Sequence, residues 1–137
     1  MSIPTTAVAT RFYEQFSQGQ IDTIIDQLGD DYVSHGFGGG GADNLRQSLQ
    51  MMRGAFPDLT FTVEDTITEG DKVAVKATLR GTHQGPFAGR PASGNSVEVG
   101  SCDVFRVRDG RIVEAWWLGD SGSMFMQIGA IPAPTAS

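Results

Sequence analysis

The dipeptide Asp109-Gly110 sits between two apolar, β-branched runs, and this constrains the fold more than any other feature of the chain. Val97-Glu98-Val99-Gly100-Ser101-Cys102-Asp103-Val104-Phe105-Arg106-Val107 precedes it, and Ile112-Val113-Glu114-Ala115-Trp116-Trp117-Leu118-Gly119-Asp120 follows. Such a pair between two strand-like runs is the strongest local signal for a hairpin. Glycine adopts positive φ without steric cost, and Asp tolerates it. A two-residue loop predicts Val107 opposite Ile112, Phe105 opposite Glu114, Asp103 opposite Trp116, Ser101 opposite Leu118 and Val99 opposite Asp120. Side chains alternate along a strand. One face is therefore expected to carry Val99, Ser101, Asp103, Phe105, Trp116, Leu118 and Asp120. An apolar wall with a few polar groups is what a small-molecule pocket needs.

The remaining chain supplies elements to pack on that hairpin. Pro4-Thr5-Thr6 opens a helix with a hydroxyl as cap, and Val8, Phe12 and Phe16 form its apolar stripe, widened by Tyr13. Gly19 stops it. Asp22 caps a second helix through Ile24, Ile25 and Leu28, which Gly29-Asp30-Asp31 ends. Tyr32 to His35 reads as a short strand. Gly38 to Gly41 reads as a loop and lacks the Lys-Ser/Thr of a phosphate loop. Ala42 to Phe56 is a third helix, with Leu45, Leu49, Met52 and Phe56 on one face. Alternation over 59–64 and from Lys72 to His83 predicts two strands joined by Glu69-Gly70-Asp71. Residues 85–95 form a loop. Met124, Phe125, Met126 and Ile128 are an apolar tail segment, and Pro132 and Pro134 finish a frayed end. Helices first and antiparallel strands after them predict an α+β fold, with a bent sheet wrapped around one helix layer.

Composition narrows the function classes. The length of 137 residues predicts a single domain over 1–137, and a hydrophobic fraction of 39% argues against disorder. A net charge of −6 disfavours nucleic acid and anionic membrane as partners. No apolar run approaches the ~20 residues of a membrane span. Met1-Ser2-Ile3-Pro4 lacks the features of a signal peptide, and the lone Cys102 suits a reducing compartment, so a cytoplasmic location is expected. One Cys and two His at scattered positions predict no metal site.

Three stretches resemble the SnoaL-like polyketide cyclases, part of the nuclear-transport-factor-2-like superfamily. They are Phe56-Pro57-Asp58-Leu59, Leu79-Arg80-Gly81-Thr82-His83-Gln84-Gly85, and Phe105-Arg106-Val107-Arg108-Asp109-Gly110-Arg111-Ile112-Val113-Glu114 ahead of Trp116 and Asp120. The resemblance runs from Val8 to Gly129. It implies a cone-shaped barrel of curved, mainly antiparallel sheet with three N-terminal helices. It also implies a ligand pocket inside the cone, no metal or organic cofactor, and a homodimer or homotetramer packed through sheets. Asp120 matches the family's acid/base Asp after the Trp of the last strand. Ser101 and Asp103 match polar positions on the preceding strand. Many relatives carry His where this chain has Ala115, which the predicted register places on the face opposite Asp120.

Each candidate residue has two readings. Asp120 is a desolvated acid/base group or the cap of a helix over 121–128. Asp103 is a cavity carboxylate or the surface partner of Arg106 or Arg80. His35 is a catalytic residue at the cavity mouth or a solvated loop residue. His83 binds substrate or orders the loop that follows it. Tyr13 is core or an oxyanion donor. Phe37 and Trp116 stack on a planar ligand, and Phe56, Ser101, Leu118 and Met124 complete the substrate-binding set. Trp117 is read as an interface residue, and Cys102 as facing away from the pocket. The outward face of the hairpin, with Cys102, Val104, Val113, Ala115 and Trp117, is apolar enough to predict a homo-oligomer.

The preferred reading is a cofactor-independent cyclase of secondary metabolism, of the kind used in antibiotic biosynthesis. It closes a ring in a polyketide or aromatic carbonyl compound by an acid/base aldol step. Polyketide hydroxylation, ketosteroid-isomerase-like chemistry and epoxide opening are alternatives on the same fold, and so is a non-catalytic binding or oligomerisation module.

Overall fold

A computed structural model describes residues 4–37 and 39–132. Gly38, the leader reading of Met1 to Ile3 and the tail at Pro134 lie outside the described residues. The elements in order are α1 (Thr5–Ser17), α2 (Ile21–Asp26), β1 (Leu28–His35), α3 (Ala42–Ala55), β2 (Thr60–Glu69), β3 (Lys72–Thr82), β4 (Ser96–Arg108), β5 (Arg111–Trp116) and α4 (Ser121–Gln127). The strands form one mixed sheet in the order β1-β5-β4-β3-β2. Among the described strands only the β1–β5 pairing is parallel.

α1 buries the expected stripe of Val8, Phe12 and Phe16 together with Ala9 and Tyr13. It touches β2, β3, β4 and β5, so the sheet curls around this helix. Burying side chains of this size stabilises by about 1.5–3 kcal/mol each, before the entropy of ordering them. Among the described residues no hydroxyl caps α1: Pro4 occupies the cap position, and Thr6 Oγ1 instead hydrogen-bonds Thr68 Oγ1 at 2.7 Å. Gly19, at φ +74°, ends the helix. Gln20, not Asp22, precedes α2, and Asp22 pairs with Arg46 of α3. The stretch Gly29-Asp30-Asp31 belongs to β1, because Leu28 already pairs with Ile112.

The β4–β5 turn forms at Asp109 and Gly110, with φ of 54° and 73°. The predicted register holds for one pair beyond it, Val107 with Ile112, and then slips by a residue. Arg106 faces Glu114, Phe105 faces Ala115 and Val104 faces Trp116. Val113 is the extra residue of a β-bulge, and an odd insertion exchanges the two faces of everything after it. Gly29 on β1 makes room for it: a Cβ there would lie 2.7 Å from Val113 Cγ1. Trp117 consequently points inward and Trp116 outward, the reverse of the sequence expectation.

Candidate active site

The inner face of the sheet, α1, α3, α4 and the connections after β1 and β3 enclose a cavity of about 260 Å³. Its walls are mostly apolar. Phe12 and Phe16 come from α1, Leu49 and Met52 from α3, Met124 and Phe125 from α4, and Phe61, Leu79 and Val99 from the strands. Phe37 and Phe87 enter from loops, and Trp117 from the end of the last strand. Ser101, Asp103, Asp120 and Ser121 are the polar side chains on this surface.

Asp103 lies deep, 4% exposed. Alternation along β4 sends Val97, Val99, Asp103 and Phe105 to the buried side, while Glu98, Gly100 and Cys102 are exposed. The Tyr13 hydroxyl donates to Asp103 Oδ2 at 2.7 Å, the Leu118 backbone N–H donates to Oδ1 at 3.0 Å, and the Ser101 hydroxyl lies 3.4 Å from Oδ2. Burial pushes the Asp103 carboxyl above the usual carboxylate range, although these three hydrogen bonds oppose the shift. Burial and the adjacent Asp103 push the Tyr13 phenol strongly up, so it keeps its proton.

Asp120 sits at the mouth. It is exposed, and its Oδ1 accepts the Ser123 N–H at 3.0 Å as the cap of α4. The desolvated setting expected for it is absent, since the register slip carries Asp120 past the end of the strand. Its N–H bonds Gly100 O at 3.0 Å, and Gly119 bridges to Ser101. Asp120 thus caps α4, as one reading expects, and borders the cavity without the desolvation that the acid/base reading expects.

Other expected site residues fall elsewhere. His35 and Trp116 stand on the outer face, where their rings stack at 5.1 Å. His35 Nε2 lies 2.6 Å from Glu114 Oε2, and Arg106 bridges Glu114 and Asp71. His35 and Arg106 hold the Glu114 carboxyl below its ordinary range. Leu118 is 61% exposed. Phe56 and His83 are buried in the core and do not border the cavity. His83 Nδ1 accepts the Ser93 N–H at 3.1 Å, which orders the loop after β3, and its ring packs on Phe56. Tyr13 backs Asp103 without lining the cavity. Ala115, expected on the outer face, is buried opposite Phe105. Phe37, Ser101 and Met124 line the cavity as expected, and Cys102 is exposed on the other side.

Trp117, expected at an interface, forms a cavity wall. Its Nε1–H donates to Ser34 Oγ at 3.2 Å, and Tyr32 Oη lies 2.6 Å from the same oxygen. Phe87 was also missed. It sits in a tight turn with Ala88 and Gly89 at φ of 52° and 76°, and it stacks on Phe125. Nothing in a glycine- and proline-rich loop marks such a residue as inward. Phe12, Phe16 and Phe61 carried the usual signal of core positions, which does not separate core from cavity wall. Among the described residues, no group of three or more His, Cys, Asp or Glu side chains is arranged to hold a metal ion.

Comparison with known proteins gives this arrangement a family. The model of the SnoaL-like polyketide cyclases matches residues 7–128. IdmH of Streptomyces antibioticus, a candidate polyketide cyclase, is 32% identical with a TM-score of 0.83, over 93% of this chain and 99% of its own. A candidate SnoaL-like polyketide cyclase of Jannaschia sp. CCS1 is 26% identical with a TM-score of 0.82, over 93% of each chain. AclR of Streptomyces galilaeus, a candidate hydroxylase, shares the fold at 24% identity and a TM-score of 0.87, over 96% of this chain and 84% of its own. No curated protein matches the chain. A family match over nearly all the described residues and a sheet curled around one apolar, carboxylate-bearing cavity agree, and the chain belongs to the SnoaL-like polyketide cyclases, with the nuclear-transport-factor-2-like fold.

Proposed function

We propose that this protein closes a ring in a polyketide or aromatic carbonyl compound by an intramolecular aldol step. The observation that carries this reading is one apolar cavity bearing two carboxylates in unlike settings, Asp103 buried and Asp120 at the mouth. Asp120 Oδ1 is committed to the cap of α4, and Oδ2 has no hydrogen-bond partner among the described residues. Oδ2 removes a proton α to a carbonyl. The enolate carbon attacks a second carbonyl carbon of the same molecule, the π pair moves to that oxygen, and the oxygen takes up a proton. Holding the two carbons together in an enclosed cavity lowers the barrier by avoiding much of the entropy cost of the encounter. Ser101 and the Asp103–Tyr13 pair supply the polar groups for the oxygen. His35, on the outer face, has no part in it.

Asp120→Asn tests the assignment well, because Asn is as good a helix cap as Asp. Turnover of a polyketide substrate is expected to fall about 10²–10⁴-fold. Melting temperature and ligand affinity, followed by Trp117 fluorescence in a Trp116→Phe background, are expected to hold. Turnover near the starting rate would remove Asp120 from the mechanism. The same chemistry needs no metal or organic cofactor, so activity is expected to survive a chelator. Loss restored by one divalent ion would overturn that part.

The exposure of Asp120 favours one second reading, in which it activates a water that opens an epoxide, the water oxygen bonding to carbon as the C–O bond breaks and the ring oxygen takes up a proton. We further propose a homodimer through the outer sheet face. Val33 is 38% and Leu118 61% exposed there, beside Trp116, Val104 and Cys102.

A further inference from the structure

Trp117 is a cavity wall whose polar edge is tied down from β1. In the parallel β1–β5 pairing Ser34 stands beside Ala115, and the Trp117 backbone N–H donates to His35 O at 3.0 Å. Alternation puts Tyr32 and Ser34 on the same inner face of β1, where they are 6% and 4% exposed. The Trp117 indole N–H and the Tyr32 hydroxyl both reach Ser34 Oγ. A hydroxyl has one hydrogen and two lone pairs. Ser34 therefore accepts from Trp117 and still pairs with Tyr32, whichever of the two hydroxyls donates. Ser34 is itself held on the free edge of β1, where its N–H donates to Gly40 O at 2.7 Å. The indole also packs on Phe12, Phe105 and Phe37, with ring centroids at 5.1, 5.4 and 5.9 Å. Such packing does not set where the N–H edge points, and the torsion that swings an indole about its Cβ–Cγ bond is broad. Among the described residues, the bond to Ser34 is the one hydrogen bond of the indole ring.

We propose that Ser34, backed by Tyr32, is a positioning residue for ligand selection: it holds the N–H edge of Trp117 against β1, so the cavity keeps one flat, apolar wall and favours a flat aromatic ligand over a puckered, saturated one of the same skeleton. Without that bond the buried N–H loses its acceptor, and an unpaired buried donor is costly. The ring then turns toward another acceptor, and the wall follows the shape of whatever binds. This deepens the cyclase reading by naming the shape its substrate must have, and rests on it only for the ligand being a reactant. An apolar cavity of about 150 Å³ accepts a benzene ring. The volume of about 260 Å³ here therefore suits a two-ring probe.

The test compares 2-naphthol with decahydro-2-naphthol, which keeps the two-ring skeleton and the hydroxyl but is puckered. Calorimetry on the wild-type protein and on Ser34→Ala measures both affinities, each corrected for the probe's partition into octanol. The wild type is expected to prefer 2-naphthol about 3–10-fold, the worth of one aromatic pair, and Ser34→Ala is expected to lose that preference. In a Trp116→Phe background Trp117 is the one remaining tryptophan. Its resonance Raman band for indole N–H hydrogen bonding is expected at the bonded position with Ser34 present and at the free position in Ser34→Ala. Equal loss of affinity for both probes would make Ser34 a structural residue only and overturn the proposal. An unchanged preference in Ser34→Ala, or a free N–H band in the presence of Ser34, would overturn it as well. If Ser34→Ala does not fold, Ser34→Cys takes its place, since a thiol is a weak acceptor. The readout is binding, so a protein that shows this preference but closes no ring overturns only the cyclase reading.

Discussion

Asp103 concentrates the electrostatics of the site in one side chain. Burial raises its carboxyl in the native state. Between the ordinary carboxylate range and that raised value, the native protein holds a proton that the unfolded chain has lost. Its contribution to stability is therefore complete below this window and falls as the pH rises through it. Asp58, Asp71 and Glu114 have lowered carboxyls and act in the opposite sense, so the test is a difference. Asp103→Asn keeps an oxygen for the Leu118 N–H and gives an amide N–H to the Tyr13 oxygen. Its unfolding free energy relative to wild type, from urea titrations, is expected to rise from acid to neutral pH. A difference that stays constant would mean Asp103 titrates alike in both states. The inward direction of Asp103 and Ser101 follows from alternation along β4. The reach of Tyr13 across from α1 does not, because a phenol on an apolar stripe looks the same whether or not a carboxylate waits opposite.

At the scale of elements, the turn and the bulge divide the hairpin between them. Gly110 sits at positive φ, and a Cβ there meets open space, so only backbone strain opposes substitution. Gly110→Ala is expected to cost about 1–2 kcal/mol in chemical unfolding. The bulge at Val113 depends on its neighbour across the sheet. Gly29→Ala puts a methyl against Val113 and is expected to cost about 1–3 kcal/mol by overpacking. Val113→Ala in the same chain should recover part of that loss, and a double-mutant cycle without coupling would show that the two do not share the space. The turn was legible because its chemistry is local. The bulge was not, because its cause lies on β1, more than eighty residues away in sequence.

On the scale of the whole molecule, the bulge determines which surface is cavity and which is available to a partner. The expected apolar outer face named Ala115 and Trp117, both of which turn inward, while Trp116 and Leu118 take their place outside. The expectation of a homo-oligomer keeps its physical reason with different residues. Light scattering at micromolar concentration is expected to return at least twice the 14.6 kDa chain mass. Leu118→Glu with Val33→Glu is expected to shift the protein toward monomer, and a monomer before mutation would remove the outer face as an interface.

Local patterns in the sequence determined the α+β class, the apolar stripes of α1 and α3, the Asp109-Gly110 turn and the inner face of β4. These depend on backbone preferences and on periods of 3.6 and 2, which a few neighbouring residues define. Tertiary structure decided the rest. It chose Trp117 over Trp116 for the cavity, drew Phe87 in from a loop, and set Asp120 on the rim and Asp103 in the interior. Each of those outcomes depends on a contact between distant segments, and a one-residue insertion in a strand reverses faces without changing the pattern that precedes it.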